Sequence, residues 1–230
     1  MNTNRRSFIR TLGAGTSAAL ASAVAAAGAG REDDPSRRVS VLEEEQALRR
    51  LHQAFEQALD KGLHEDVIGM FTDDARVVFN GGVFTRRSMG VSRLYRETFP
   101  AWKTGRRIDP APGFEPAGPQ RDHVEVSADL RAATAVFPYS IQAGMPFQTE
   151  SSLAAMARLH GEGVRTWWEG GLYRVDYEKD AAGRWKMSRL EYDTQSRADY
   201  RPGRSDPRPI SVPRLAMRFP EDPHGPDDLI

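Results

Sequence analysis

The segment VRTWWEGGLYRVDYEKD, residues 164–180, constrains the fold of this chain more than any other. It is rich in aromatic residues, which favour β-strands. The turn-like KDAAG follows it and leads into RWKMSRLEYD, a second strand-like segment. Two strand segments joined by a short polar turn predict an antiparallel hairpin.

Side-chain alternation sorts the first of these strands into two faces. Trp167, Glu169 and Tyr173 share one face with further aromatic and apolar residues, so this face is expected to point towards helices and the interior. Trp168 and Leu172 lie on the other face, which continues into three charged residues. We expect that second face to meet solvent or another subunit.

Two irregularities are expected in the hairpin. RWKMSRLEYD slips phase between Met187 and Leu190, and a bulge near Ser188 reconciles its two halves. The adjacent Gly170 and Gly171 mark a second place for a bulge.

The residues before the sheet have helical spacing. An apolar repeat from Val41 through Phe55 predicts a first helix that stops near Gly62. A short second helix is predicted over 64–71, after which Asp73-Asp74 are expected to turn the chain into the strand RVVFN.

A third helix is predicted in RRSMGVSRLYRETF, with Met89, Leu94, Tyr95 and Phe99 as candidate buried positions. The proline-containing stretch 101–120 reads as a long loop, of the kind that often forms lids. A hairpin is then predicted over 123–144.

The ends of the chain differ from its middle. NRRSFIR followed by a run of Ala, Gly and Ser resembles a twin-arginine export signal, so residues 1–29 are expected to be cleaved. This predicts a periplasmic or exported protein with no stable membrane anchor after cleavage. A linker is expected over 30–40, an α+β domain over 41–200 and a proline-rich tail over 201–230.

Prolines should keep that tail out of the sheet. Its apolar residues could dock on the domain or on a neighbouring subunit, and these residues are Leu215, Met217 and Phe219.

Composition excludes several classes of protein. Basic and acidic residues both number 32, which predicts no nucleic-acid partner. The absence of cysteine excludes disulfides and thiolate chemistry. The histidines show no paired metal-ligand spacing and no nucleotide-binding glycine motif occurs, so neither a metal nor a cofactor is predicted.

Residues 48–99, together with WWEGGLYRVDYEKDAAGRWKMSRLEYD, resemble the SnoaL-like, nuclear-transport-factor-2-like superfamily. The resemblance covers roughly residues 42–200. It implies a cone-shaped, curved antiparallel sheet packed on three N-terminal helices, with one pocket between them. This fold hosts dehydratases, isomerases, lyases, cyclases and non-catalytic binders, so it does not fix an activity.

The resemblance implies a pocket for a hydrophobic, aromatic small molecule. Glu169 and His123 are the candidate acid/base residues, because desolvation tunes a buried carboxyl and histidine titrates near neutral pH. Tyr95, Tyr173 and Trp167 are the candidate substrate-binding residues.

Several alternatives stay open. Glu169 could instead pair with an arginine at the pocket rim or face solvent after a bulge. The leading expectation is a cofactor-independent dehydratase, isomerase or carbon–carbon lyase. The alternatives are a binding module of the same fold and a purely structural dimer, and a homodimer or homotrimer is expected on general grounds.

Overall fold

The computed structural model describes residues 34–102, 106–107, 110–114, 117, 121–146, 156, 164–200 and 206–230. The expected export signal lies outside these residues, as do most of the loop 101–120 and the interruption after Pro146. The chain divides into two units, Met1–Ser40 and Val41–Ile230, and the second carries the fold described below.

Helices dominate the first part of the described chain. Helix α1 begins inside the segment expected to be a linker, and its buried residues Leu48, His52, Phe55 and Leu59 follow helical spacing. The bounds are α1 Pro35–Asp60, α2 His64–Gly69, two π-helical segments Arg86–Val91 and Leu94–Thr98, and α3 Phe99–Trp102. None of the helices among the described residues has an apolar stretch of the length that crossing a bilayer requires.

The strands form one mixed, mostly antiparallel sheet of nine strands within the described residues. Its main order is β3-β5-β6-β7-β1-β2-β9, with β4 paired to β5 and β8 paired to β7. Only β1 and β7 run parallel among these pairs. The bounds are β1 Phe71–Phe79, β2 Gly82–Thr85, β3 Arg106–Arg107, β4 His123–Val126, β5 Ala132–Pro146, β6 Val164–Lys179, β7 Trp185–Asp199, β8 Arg208–Pro209 and β9 Asp228–Leu229. The expected α+β class and both expected hairpins are confirmed.

Strand β7 contains two bulges that keep its inward face in phase with β6. Tyr177 pairs with Met187 and Asp176 with Arg189, so Ser188 is the extra residue, as the sequence predicted. The second bulge lies opposite the two glycines, but its extra residue is on β7 rather than β6. Gly170 pairs with Ser196 and Gly171 with Thr194, which leaves Gln195 unpaired.

The Gln195 bulge brings Arg197 directly opposite Glu169. If the same residues continued from Thr194 as a regular strand without a bulge, Ser196 rather than Arg197 would be the next residue on the inward face, because strand side chains alternate with a period of two. The alternation within β6 is uninterrupted, so Glu169 and Tyr173 stay on the same face.

Gly170 and Gly171 are required by close approaches on opposite faces of β6. A Cβ atom on Gly170 would lie 2.4 Å from the Trp168 ring, and one on Gly171 would lie 2.3 Å from the Asp193 carbonyl oxygen. The ring of Tyr139 covers Gly171 as well, at 3.0 Å from the same position. The pair therefore admits an aromatic ring on each side of the strand.

The outward face of β6 is covered by the chain itself, so the expectation of a solvent-facing or subunit-facing surface is wrong at this end. Trp168 is fully buried against Ala111 and Ala198, and its indole N–H donates to Ser140 Oγ at 2.7 Å. Leu172 is only 1% exposed. A segment of low periodicity, which the sequence suggested only as a loop, supplies part of this cover.

The C-terminal segment 206–230 also differs from expectation, because it adds β8 and β9 to the sheet. Strands of two residues need few backbone donors, which is why the prolines do not prevent this pairing. Leu215 packs on the core, whereas Met217 and Phe219 remain about half exposed. The Arg93 guanidinium lies 4.4 Å from the centre of the Phe219 ring.

Two local expectations are corrected upstream. Asp73 and Asp74 lie within β1 as exposed residues rather than in a turn, and Asp73 pairs with Arg87. Strand alternation lets exposed acidic side chains and buried apolar ones share β1. Met89 is 52% exposed rather than buried, whereas Leu94, Tyr95 and Phe99 are buried as predicted.

Candidate functional site

A cavity of about 250 Å³ lies between α1 and the inward face of the sheet. Helix α1 contributes mostly polar side chains, and the sheet and α3 contribute mostly aromatic ones. The lining residues are Gln53, Glu56, Gln57, Leu59, Asp60, Phe79, Phe99, Ile141, Glu169, Tyr173 and Tyr192. Mostly apolar walls with a few convergent polar groups are typical of small-molecule sites.

Tyr173 is a buried polar group in this lining whose hydroxyl has no hydrogen-bond partner among the described residues. Its side chain is 3% exposed, and its hydroxyl makes no hydrogen bond to any described residue. The other buried tyrosine hydroxyls have partners: Tyr95 and Tyr192 bond to each other at 3.0 Å, Tyr139 bonds to Thr194 at 2.7 Å, and Tyr177 contacts His52 at 3.4 Å. Buried polar groups are normally satisfied, so the Tyr173 hydroxyl is available to a ligand.

The surroundings of Tyr173 keep its hydroxyl protonated. Burial raises its pKa well above the ordinary value, and the negative charges of Glu56, Glu169 and Asp60 raise it further. At neutral pH this side chain is therefore a hydrogen-bond donor to, or acceptor from, a bound molecule.

Glu169 lines the same cavity but is fully engaged by the protein. Its Oε1 accepts hydrogen bonds from Tyr139 at 3.2 Å and Thr194 at 3.1 Å. Its Oε2 accepts from Trp167 at 3.3 Å and Arg197 at 2.8 Å. Tyr139 and Thr194 also lie 2.7 Å apart and have one hydroxyl proton each, so Glu169 accepts three or four of these hydrogen bonds, which is most of the capacity of its roughly four lone-pair sites. The expected alternative, pairing with an arginine, is what the structure shows.

Arg197 connects this network to the end of β1. Its Nη2 donates to Asn80 Oδ1 at 3.3 Å, and Asn80 Nδ2 donates to the Pro213 carbonyl at 2.8 Å. Val212 packs on Trp167 in the same region. The C-terminal segment thus supports the side chains that hold Glu169.

The polar wall on α1 was not singled out from the sequence. Gln53, Glu56, Gln57 and Asp60 are spaced by three or four residues, so they form one face of the helix. This spacing was a usable signal, because the same helix carries the buried stripe that contains Phe55 and Leu59. Tyr192 was not singled out either, and Arg197 was missed because its inward position depends on the Gln195 bulge.

The structure brings together only part of the predicted site. Glu169 and Tyr173 line the cavity, and Trp167 contacts Glu169 without lining the cavity itself. Tyr95 is fully buried behind Tyr192, to which it is hydrogen-bonded.

His123 lies apart from the cavity. It is exposed at the start of β4, where it pairs with Val136. Because β4 begins at the periphery of the sheet, the side chain of its first residue, His123, lies in solvent and not in the pocket.

A second, more open cavity of about 370 Å³ shares Gln53 and Glu56 with the first. Arg49, His52 and Arg121 line it, and Arg49 is paired with Glu45 and Asp122. Within the part of the chain that the structure describes, no three His, Asp or Glu side chains are grouped to hold a metal ion.

Similar folds occur among solved structures. A putative scytalone dehydratase from Novosphingobium aromaticivorans is 16% identical, with a TM-score of 0.47, over 77% of this chain and 99% of that one. A type 2 hexachlorocyclohexane dehydrochlorinase is 14% identical, with a TM-score of 0.49, over 78% and 97%. An NTF2-like protein with a cystatin-like fold, also from N. aromaticivorans, is 18% identical, with a TM-score of 0.43, over 70% and 89%. Likenesses of this degree say nothing about activity.

A search of curated proteins finds no match to this chain. The SnoaL-like domain family matches residues 40–191, which is more than half of the chain and includes most of α1, α2, both π-helical segments and most of the hairpin β6–β7. The chain belongs to the SnoaL-like domain family.

Proposed function

We propose that the cavity binds a hydrophobic small molecule with an aromatic part, oriented by the Tyr173 hydroxyl. The single observation that carries the proposal is that this buried hydroxyl lines the cavity and has no hydrogen-bond partner among the described residues. Phe79, Phe99 and Tyr192 supply aromatic surface around it. Rings packed in this way favour an aromatic ligand through offset or edge-to-face contacts.

We further propose that the protein acts on this molecule by cofactor-independent acid/base chemistry of the dehydratase, isomerase or carbon–carbon lyase type. Glu56 supports this assignment because its carboxylate lines the cavity and acts electrostatically on the Tyr173 hydroxyl. Glu56 would accept a proton from a substrate carbon, and the freed electron pair would form a double bond as a leaving group departs or a bond shifts. Tyr173 would hydrogen-bond a substrate oxygen.

In this proposal Glu169 positions other groups rather than transferring the proton. Its Oε1 contacts with Tyr139 and Thr194 hold these two side chains in place, and the rings of Tyr139 and Tyr173 stack at 4.5 Å. Proton transfer by Glu169 or His123 stays a prediction from the sequence, which the variants Glu169→Gln and His123→Ala test.

A non-catalytic binding module is the second candidate. The observation that favours it is the engagement of both Glu169 oxygens, together with the exposed position of His123 outside the cavity. Of the two groups expected to carry acid/base chemistry, Glu169 is thus engaged by the protein and His123 lies outside the cavity, while the cavity and the Tyr173 hydroxyl remain suited to binding.

The test is to incubate the full chain with a pooled aromatic metabolite extract and to follow the compounds by mass spectrometry. Loss of water, rearrangement or cleavage of one compound would support the enzyme, and retention of one unchanged compound would support the binder. If the wild-type chain neither converts nor retains any compound, the proposal of a small-molecule site is contradicted.

Two matched pairs of variants then assign the effect to the cavity. Tyr173→Phe and Glu56→Gln should reduce the conversion or retention of the compound. Their controls, Tyr177→Phe and Glu43→Gln, remove the same chemical groups outside the cavity lining and should leave it unchanged. Equal effects within each pair would contradict the residue assignments.

Export through the twin-arginine pathway and self-association as a homodimer or homotrimer are separate proposals. The first rests on Arg5 and Arg6 ahead of the Ala-rich run. It predicts that replacing both arginines with lysine retains the protein inside the cell, as fractionation would show. Light scattering of the purified chain tests the second.

A further inference from the structure

We propose that Asn80 is a positioning residue of the cavity. It holds the Arg197 guanidinium on Glu169, and this ion pair in turn fixes the tyrosines that stack behind it. One of them is Tyr173, which presents its hydroxyl to the ligand. The inference rests on the proposed small-molecule site and gives a role in that site to a residue that does not line the cavity.

The turn that contains Asn80 does not itself require the asparagine side chain. Asn80 and Gly81 form the two-residue loop between β1 and β2, since Phe79 pairs with Gly82 across it. Both loop residues have positive φ, 46° and 85°. Asn-Gly and Gly-Gly are both preferred in such loops, because they tolerate this backbone conformation. The amide group of Asn80 serves contacts beyond the turn.

The Asn80 amide uses its acceptor and its donor in contacts with two distant segments. Its Oδ1 accepts from Arg197 Nη2 at 3.3 Å, and its Nδ2 donates to the Pro213 carbonyl at 2.8 Å. The Leu215 N–H donates to the Asn80 carbonyl at 3.1 Å. The Ile210 N–H donates to the Arg197 carbonyl, also at 3.1 Å. The C-terminal segment thus ties the β1–β2 loop to the end of β7.

Arg197 depends on its second acceptor for a fixed orientation. The guanidinium donates through Nε to Glu169 at 2.8 Å and through Nη2 to Asn80. The Arg197 side chain is 20% exposed. A long, partly exposed arginine has many rotamers available to it. Two acceptors that engage different donors of one rigid, planar fork select a single rotamer.

The Glu169 carboxylate carries this constraint to the cavity wall. Its Oε1 contacts the Tyr139 hydroxyl at 3.2 Å and the Thr194 hydroxyl at 3.1 Å. The Tyr139 ring stacks on the Tyr173 ring, with 4.5 Å between their centres. A change in the placement of Arg197 should therefore displace both tyrosines. Displacement of the Tyr173 hydroxyl would disturb the orientation of the ligand.

The test compares the full wild-type chain with two variants by NMR. Asn80→Gly keeps the turn and removes both amide contacts, so we expect the Arg197 Nε–H to exchange with water about threefold or more faster. The ring signals of Tyr139 and Tyr173 in tyrosine-labelled protein should shift, whereas that of Tyr177 should not. Asn80→Asp keeps an oxygen acceptor for Arg197 and should retain the slow exchange.

The matched control is Thr98→Val. The Thr98 hydroxyl, like the Asn80 amide, donates to a backbone carbonyl of the C-terminal segment, that of His224, at 3.1 Å. This contact lies outside the series that leads from Asn80 to Glu169, so Thr98→Val should leave the exchange rate and both tyrosine signals unchanged. Equal effects of Thr98→Val and Asn80→Gly would overturn the specific role of Asn80.

Ligand binding gives the functional readout. Phenethyl alcohol and ethylbenzene share a skeleton and differ in one hydroxyl, and their dissociation constants for the full chain are measured by NMR titration. Tyr173→Phe and Asn80→Gly should each weaken binding of the alcohol relative to ethylbenzene by about threefold or more, because each removes or misplaces one hydrogen bond. A merely structural role of Asn80 would leave this ratio at its wild-type value.

The outcomes separate this inference from the proposed function. Unchanged Arg197 exchange and tyrosine signals in Asn80→Gly would overturn the role of Asn80, while the small-molecule site would stand. An affinity ratio that changes in Tyr173→Phe alone would have the same meaning. If neither probe binds the wild-type chain, the proposed site is contradicted, whereas the NMR comparison still decides whether Asn80 positions Arg197.

Discussion

At the scale of single residues, Tyr173 and Tyr95 form a matched pair of buried phenols. Tyr173→Phe removes a hydroxyl with no described protein partner, so we expect the free energy of unfolding to change by less than about 0.5 kcal/mol. Tyr95→Phe breaks the bond to Tyr192 and leaves that hydroxyl unsatisfied, which costs about 1–3 kcal/mol. Urea denaturation of both variants measures the difference. A large loss for Tyr173→Phe would show that its hydroxyl is structural.

The Glu169–Arg197 pair gives a second prediction at this scale. Arg197→Met leaves a carboxylate that is 6% exposed without its cation, and we expect a loss of about 3 kcal/mol in unfolding free energy. Glu169→Gln should cost less, about 1 kcal/mol, since Arg197 is partly exposed and can reach solvent.

The double variant decides whether the two residues act as a pair. Glu169→Gln with Arg197→Met should lose less stability than the two single variants together, because it leaves no unpaired buried charge. Additive losses in a denaturation series would mean that the ion pair does not couple them.

At the scale of elements, the bulge in β7 is the feature that builds the site. Deleting Gln195 and Ser196 together places Arg197 directly after Thr194 on the outward face, away from Glu169, so we expect a loss of several kcal/mol, about that of breaking the pair. Gln195→Ala keeps the bulge and loses only the bond from the Ala117 N–H, so it should cost about 1 kcal/mol or less. Thermal unfolding of the two variants compares them, and equal losses would argue against the bulge as the cause.

Periodicity predicted the elements that depend on local pattern. The phase slip around Ser188 revealed one bulge, and alternation along β6 placed Glu169 and Tyr173 on the inward face. The pattern did not reveal that the second bulge takes its extra residue from β7, because a glycine pair shows where backbone approaches closely but not which strand gains a residue. The partners of Glu169 therefore could not be predicted.

Contacts between distant segments were equally hidden. The sequence places His123 directly after a long loop, which predicted a position near the pocket, but its strand β4 pairs only with β5 and lies at the periphery of the sheet. The buried position of Trp168 depends on Ala111 and Phe114, from a segment without periodicity. The C-terminal segment likewise joins the sheet through the backbone pairs β2–β9 and β7–β8, which its proline content argued against.

At the scale of the whole molecule, five of the six tyrosines are buried: Tyr95, Tyr139, Tyr173, Tyr177 and Tyr192. Burial raises the pKa of each above its ordinary value of about 10. Groups whose folded pKa is raised stabilise the fold fully below the unfolded pKa, and that stability is lost as pH rises further.

The expected result is a steep loss of stability above about pH 10. Each tyrosine that ionises only on unfolding contributes about 1.4 kcal/mol per pH unit, so five together exceed a typical domain stability within about two pH units. Urea denaturation between about pH 8 and 11, with phenolate absorbance recorded in parallel, checks this. Tyrosines that titrate near pH 10 while the chain stays folded would contradict the burial described here.

The central claim is that a small molecule occupies the cavity and hydrogen-bonds to Tyr173. A crystal structure of the full chain with the compound it retains or converts tests this most directly. The account predicts an oxygen or nitrogen of that compound at about 3 Å from the Tyr173 hydroxyl, with its ring against Phe79 and Phe99. A compound bound elsewhere, or held in the cavity without contact to that hydroxyl, would contradict it.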